Sequence, residues 1–111
     1  MLRNSLEKAI NAVNMLLKLL SSKIKVSEAY IFGSYIRGTW LKSSDVDLVI
    51  VSQDFEGMPY LKRLDLINEV QWKARIRPYI EAIALTPEEF SRKLQESAVL
   101  RDASKYWVRI A

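Results

Sequence analysis

The chain contains no cysteine and no histidine in 111 residues, and only three glycines and three prolines. Without cysteine there is neither a disulfide nor a thiol nucleophile. Without histidine, Cys/His zinc sites and Ser-His-Asp relays are excluded as well. Acid–base or metal chemistry is therefore left to carboxylates. Long apolar runs are also missing. The N-terminal segment is interrupted by Glu7, Lys8, Asn11, Asn14 and Lys18, which excludes a transmembrane span or a signal peptide and makes the cytoplasm the expected location. Repeats, low-complexity tracts and linkers are absent, so residues 1–111 are expected to form a single domain.

What is present suits a folded α/β chain. Half of the residues are hydrophobic and 27% are charged, which is too apolar for disorder. Lys and Arg number 17 against 13 Asp and Glu, a net charge of +4 that suits an anionic substrate such as a nucleotide. No basic cluster is dense enough for strong nucleic-acid binding without a partner.

From Leu2 to Leu20, Leu6, Ile10, Val13, Leu17 and Leu20 recur at steps of three and four and predict an amphipathic helix. Val26 to Phe32 reads as a strand stopped by Gly33, and Asp45 to Val51 as a second, strongly β-branched strand. Tyr60 to about Arg75 carries a helical stripe of Leu64, Ile67, Val70 and Ala74, ended by Arg77-Pro78. Tyr79 to Leu85 reads as a third strand with Tyr79, Glu81, Ile83 and Leu85 on one face. Thr86-Pro87-Glu88-Glu89 opens a helix to about Ala98 or beyond: Thr86 as N-cap, Glu89 closing a capping box, and Leu85 stapled to Phe90. Lys105 to Ile110 is a last strand or an extended tail. The expected fold class is α/β, a small mixed β-sheet with flanking helices. Trp72 and Tyr79 read as core or half-core residues, and Tyr106 and Trp107 as interface candidates.

The chemistry concentrates in three places. Asp45 and Asp47, two apart on a strand, project from one face roughly 7 Å apart at Cα. Such a pair repels itself unless a cation lies between, and carboxylates are the hard ligands that Mg²⁺ prefers. The alternative is a pair of aspartates that satisfy local loop amides. Glu81 lies in the apolar run Tyr79–Leu85, where an unpaired charge is costly. It is either a third acid beside the metal pair or the partner of Arg75 or Arg77. Gly33-Ser34 opens a turn whose backbone can approach an anion, with Ser34 donating, although such a turn alone is a weak signal.

Gly-Ser, ten residues, then Asp-x-Asp, between one strand and the next, resembles the nucleotidyltransferase superfamily that includes DNA polymerase beta, poly(A) polymerases and aminoglycoside nucleotidyltransferases. The resemblance covers about residues 26 to 85 and implies a polymerase-beta-like nucleotidyltransferase fold. It also implies that Gly33 and Ser34 hold the phosphates of a nucleoside triphosphate and that Asp45 and Asp47 bind Mg²⁺, in a two-metal site. Glu81 falls where the family carries a third carboxylate, more often Asp, as metal ligand or base. The turn reads Gly33-Ser34-Tyr35-Ile36-Arg37-Gly38 where many relatives have Gly-Ser-Arg-x-Arg-Gly, so only Arg37 is left as a triphosphate contact.

The chain is most similar to the minimal nucleotidyltransferases, often paired with a small helical HEPN-type protein. The resemblance then implies transfer of AMP from ATP to a hydroxyl, on such a partner, by an antitoxin. The competing expectation is a non-catalytic antitoxin subunit that regulates its partner by contact alone. At this length a partner or a second copy is expected to complete the site.

Overall fold

The computed structural model describes residues 2–32, 45–103 and 107–111. Helix α1 spans Leu2–Leu20, as the spacing predicts. Its buried face is Ala9, Ala12, Val13, Leu16 and Leu20, with Ile10 and Leu17 at the margin. The expected stripe is thus rotated by one residue at Leu16, because small alanines let the helix approach the sheet along their side. Strand β1 runs over Glu28–Phe32 and β2 over Val46–Val51, so Asp45 immediately precedes its strand. A single 3₁₀ turn, Gln53–Phe55, then buries Phe55 inside what reads in sequence as a plain loop.

Helix α2, Tyr60–Ala74, returns the chain across the sheet and ends at Arg75 in the left-handed region, φ 54°. Strand β3 is Ile80–Leu85, helix α3 Pro87–Glu96, helix α4 Ala98–Ala103 and strand β4 Val108–Arg109. The sheet order is β3-β2-β1-β4: β2 and β3 are parallel, as the α2 crossover requires, and the other pairs are antiparallel. This is the mixed α/β architecture that the sequence predicts. The turn-helix expected after Gly33 lies outside the described residues.

The sheet is packed on both faces. On one, Ala29, Ile31, Val46, Leu48, Ile50, Ile80 and Ala84 meet α1 and α2 in an aliphatic core. On the other, Tyr30, Val49, Val51 and Leu85 meet Phe90 of α3, and Trp107 closes the layer. Tyr30 stacks on Trp107 at 4.6 Å and on Phe90 at 5.7 Å between ring centroids. Trp107, half-buried, therefore packs on this layer, since β4 pairs with β1 and draws it over Tyr30. Tyr106 lies outside the described residues. Trp72 is also placed differently from expectation: it is 72% exposed, because α2 turns Ile67, Val70 and Gln71 inward and leaves position 72 in solvent. Helix α3 stops at Glu96, short of the expected Ala98, because Ser97 takes an extended conformation, ψ 114°.

Two buried polar side chains of α2 hold β3, which is an edge strand. The Gln71 amide accepts the Ile80 N–H and donates to the Ile80 carbonyl, both at 2.8 Å. The Arg63 guanidinium donates to the Met58 carbonyl at 2.9 Å, to the Ala84 carbonyl at 3.1 Å and to both oxygens of Glu89 at 2.5 and 3.2 Å. Glu89 also accepts the Thr86 N–H, while Thr86 Oγ1 accepts the Glu89 N–H; the expected capping box is complete. The Arg63 and Thr86 hydrogen bonds hold the Glu89 carboxyl down at about 2.

Two outcomes follow. Gln71→Leu leaves both Ile80 backbone groups without partners and should cost about 2–3 kcal/mol in urea unfolding. Because the folded Glu89 pKa lies below its unfolded value, its contribution is present above the ordinary glutamate range and disappears as pH falls through about 2. Glu89→Gln should flatten that part of the stability–pH curve.

Candidate active site

The parallel register of β2 and β3 sets Asp47 opposite Glu81, and the antiparallel register of β1 and β2 sets Phe32 on the other side of Asp47. Phe32, Asp47 and Glu81 therefore form one row across the sheet, with neighbouring strands about 4.8 Å apart. Asp45, two residues before Asp47, faces the same cleft of about 760 Å³. The cleft opens on the face of Val49, Val51 and Leu85, but at the opposite end of the strands from the Phe90–Trp107 cover.

Asp47 is half-buried, and Asp45 and Glu81 are exposed. Glu81 is thus not enclosed by its apolar run, as expected from sequence, because the aromatic layer ends before it. Neither alternative ion pair forms: among the described residues Glu81 has no cationic partner, and the Arg77 guanidinium donates to the Ile76 carbonyl. Burial pushes the Asp47 carboxyl above the ordinary aspartate range, and the nearby charges of Glu81 and Asp45 push it further. The site thus holds concentrated negative charge that a cation would relieve.

Among the described residues no three acids stand close enough to cage one ion. Mg²⁺ takes oxygen ligands, usually one or two of them carboxylates, with waters and substrate phosphates for the rest. The donor set is all oxygen, so Asp45 and Asp47 fit such an ion, with Glu81 beside them. Gly33, Ser34 and Arg37, the expected phosphate-binding residues, lie outside the described residues.

The wall opposite the acids comes from residues that the sequence reading did not assign to the site. Tyr60, Leu64 and Asn68, each four apart on α2, line the cleft together with Tyr79. The Tyr79 hydroxyl donates to Asn68 Oδ1 at 2.7 Å. The i, i+4 spacing from Tyr60 was the available signal, but Leu64 reads equally well as a core position. A second hollow of about 640 Å³ continues past Tyr60 and Ile83 toward Arg92 and Lys93 of α3. Glu89 and Glu96 line it as well, so it carries no excess of either charge.

Residues 13–106 match the family model described as the nucleotidyltransferase domain. No curated protein matches the chain in sequence. Among solved structures, a candidate nucleotidyltransferase from Sulfolobus solfataricus is 25% identical, with 82% of this chain and 78% of that one aligned at a TM-score of 0.66. A toxin-antitoxin complex solved with AMP-PNP is 21% identical over 88% of this chain and 71% of that one, at a TM-score of 0.58, and shares the fold. BolA1 from Arabidopsis thaliana, 19% identical over 70% of this chain and 94% of that one at 0.53, shares only the arrangement of sheet and helices. The family match spans both acidic strands, the crossover helix between them and the helix that follows, and on that match this chain belongs to the nucleotidyltransferase domain family.

Proposed function

We propose that the chain transfers a nucleoside monophosphate, AMP from ATP, to a hydroxyl on a protein partner and releases pyrophosphate. The observation that carries this reading is the register of Asp47 against Glu81 on parallel strands, with Asp45 in the same cleft. Asp45 and Asp47 would hold Mg²⁺, which supplies charge neutralisation at the phosphates and lowers the pKa of a bound oxygen. Glu81, outermost in the row and exposed, accepts the proton of the incoming hydroxyl. The acceptor oxygen bonds to the α-phosphorus, and the bond to the pyrophosphate oxygen breaks on the opposite side.

Ser34, Gly33 and Arg37 are the proposed phosphate contacts, on the sequence motif alone. The toxin-antitoxin complex among the structural neighbours supports reading the acceptor as a protein that the chain neutralises, in keeping with the HEPN-type helical partner that the motif implies. The same reading makes the protein a cytoplasmic antitoxin.

Labelled ATP with Mg²⁺ and the natural partner should label the partner. Asp47→Asn should lower that transfer at least about a hundredfold, the scale expected when an electrostatic catalytic element is lost. Equal transfer by Asp47→Asn overturns the proposal, and neutralisation of the partner that persists without transfer would favour a contact-only antitoxin.

A stability measurement gives an independent reading. The raised Asp47 pKa means that its ionised form burdens the fold above that pKa, and the burden fades as pH falls below it. Without divalent ions, Asp47→Asn should therefore be more stable than the parent chain at neutral pH, with the difference shrinking as pH falls. It should lose the rise in melting temperature that Mg²⁺ gives the parent chain.

A further inference from the structure

Helices α1 and α2 meet over the aliphatic core, and two hollows of about 340 and 320 Å³ lie along their seam, with Ala74 lining both. Met15 and Leu19 of α1, four residues apart, line them from one side and are 51% and 39% exposed. Val70 and Ala74 of α2, also four apart, line them from the other. The rim is basic. Lys8, Arg75 and Arg77 stand at one end and Lys23 and Lys73 at the other, and no carboxylate lines either hollow. The nearby Glu69 ion-pairs with Lys73 at 2.7 Å, and Lys73 foremost, then Lys23, holds it below the ordinary glutamate range. Among the described residues, Lys8, Arg75 and Arg77 have no acidic partner. Positive charge thus gathers over the helices, while the acid cleft opens on the other face of the sheet.

We propose that this seam docks an acidic amphipathic helix of a partner protein. From Lys8 to Lys23 the groove runs about 22 Å, four turns of helix. A helix laid along it sets side chains at steps of three and four against the four-residue spacing of both walls, a fit that the period of a strand does not give. Its apolar stripe covers Met15 and Leu19, and methionine adapts its shape to whatever side chain it meets. Carboxylates on its flanks meet Lys8, Arg75 and Arg77 at one end and Lys23 and Lys73 at the other. The partner then sits on the helical side and leaves the acid cleft open to nucleotide. This docking goes beyond the transferase reading and does not require it.

Other occupants fit less well. A second copy in twofold pairing would set the same cations against themselves. Nor do α2 and α3 offer an acidic stripe to another copy: α2 interleaves Asp65 and Glu69 with Lys62 and Lys73, and α3 interleaves Glu88 and Glu96 with Arg92 and Lys93. A nucleic-acid backbone would meet the cations and leave Met15 and Leu19 uncovered. A bilayer takes up apolar side chains that stand proud of the cations, whereas these line hollows between helices.

The test uses the intact chain without nucleotide and a fluorescein-labelled helical peptide of four turns, with leucines at helical spacing and glutamates on both flanks. Its anisotropy should show saturable binding with a Kd of about 100 µM or tighter. A scrambled peptide of the same composition should bind at least about tenfold more weakly. Lys8→Glu combined with Lys23→Glu should weaken binding at least about thirtyfold, and Met15→Ser about fivefold. All three positions are exposed, so these variants should keep the parent's melting temperature. Lys93→Glu makes the same charge change on α3, across the sheet, and should leave binding within about twofold. No saturation at millimolar peptide, equal binding of the scrambled peptide, or equal loss in Lys93→Glu overturns the proposal. So does a seam taken by something else: phosphatidylserine vesicles or oligouridine bound in preference to the peptide and lost in the double variant, or a dimer that Met15→Ser dissolves. Peptide binding by a chain that transfers no AMP upholds the docking surface and removes only the transferase reading.

Discussion

A strand at the edge of a sheet must find partners for half of its backbone groups, and in this protein that requirement is met by two buried side chains of the crossover helix. Gln71 closes the Ile80 end of β3, and Arg63 closes the Ala84 end while gripping Glu89 and the Met58 carbonyl. The cost of burying a guanidinium is met by a carboxylate and two carbonyls, so no donor fork is left without an acceptor where it points inward. Helix α2, strand β3 and the start of α3 are thereby locked to one another. The register that sets Glu81 against Asp47 depends on that lock, because a slip of one residue would turn Glu81 onto the aliphatic face.

The site itself works against stability. Asp47 is half-buried beside two other acids, and nothing cationic among the described residues offsets them. A fold tolerates such a cluster when the surrounding packing is strong, and here it is: Val46, Leu48, Val49, Ile50 and Val51 are fully buried on both faces of the strand that carries Asp47. Strain of this kind is common where charge is gathered for a ligand.

Much of this was legible in the amino-acid order. The capping box at Thr86 and Glu89 was readable because its chemistry is local, four residues with fixed roles. The alternation of Asp45 and Asp47 against Val46 and Leu48 was readable because a strand has period two. What the sequence hid depends on long-range contact. Arg63 and Gln71 fall at helical spacing on the face of Ile67 and Val70, but nothing local says what a buried polar side chain there would bond; only the edge of β3 explains it. Trp72 misleads in the opposite sense, since a large aromatic reads as core wherever it falls. The exposure of Glu81 depends on where the aromatic layer of Tyr30, Phe90 and Trp107 ends, and no local pattern reports that boundary.

The pairing of β1 with β4 joins residues almost eighty positions apart in the chain, as Tyr30 with Arg109, whereas β2, α2 and β3 follow one another directly. Loop-closure entropy makes such a distant, two-residue strand the most expensive contact of the sheet to form and the first to fray. When β4 frays, Trp107 leaves the ring stack and the aromatic layer opens to water. The acidic row on β2 and β3 keeps its own register throughout. The sheet therefore has a side that breathes and a side that holds, and the acids sit on the side that holds.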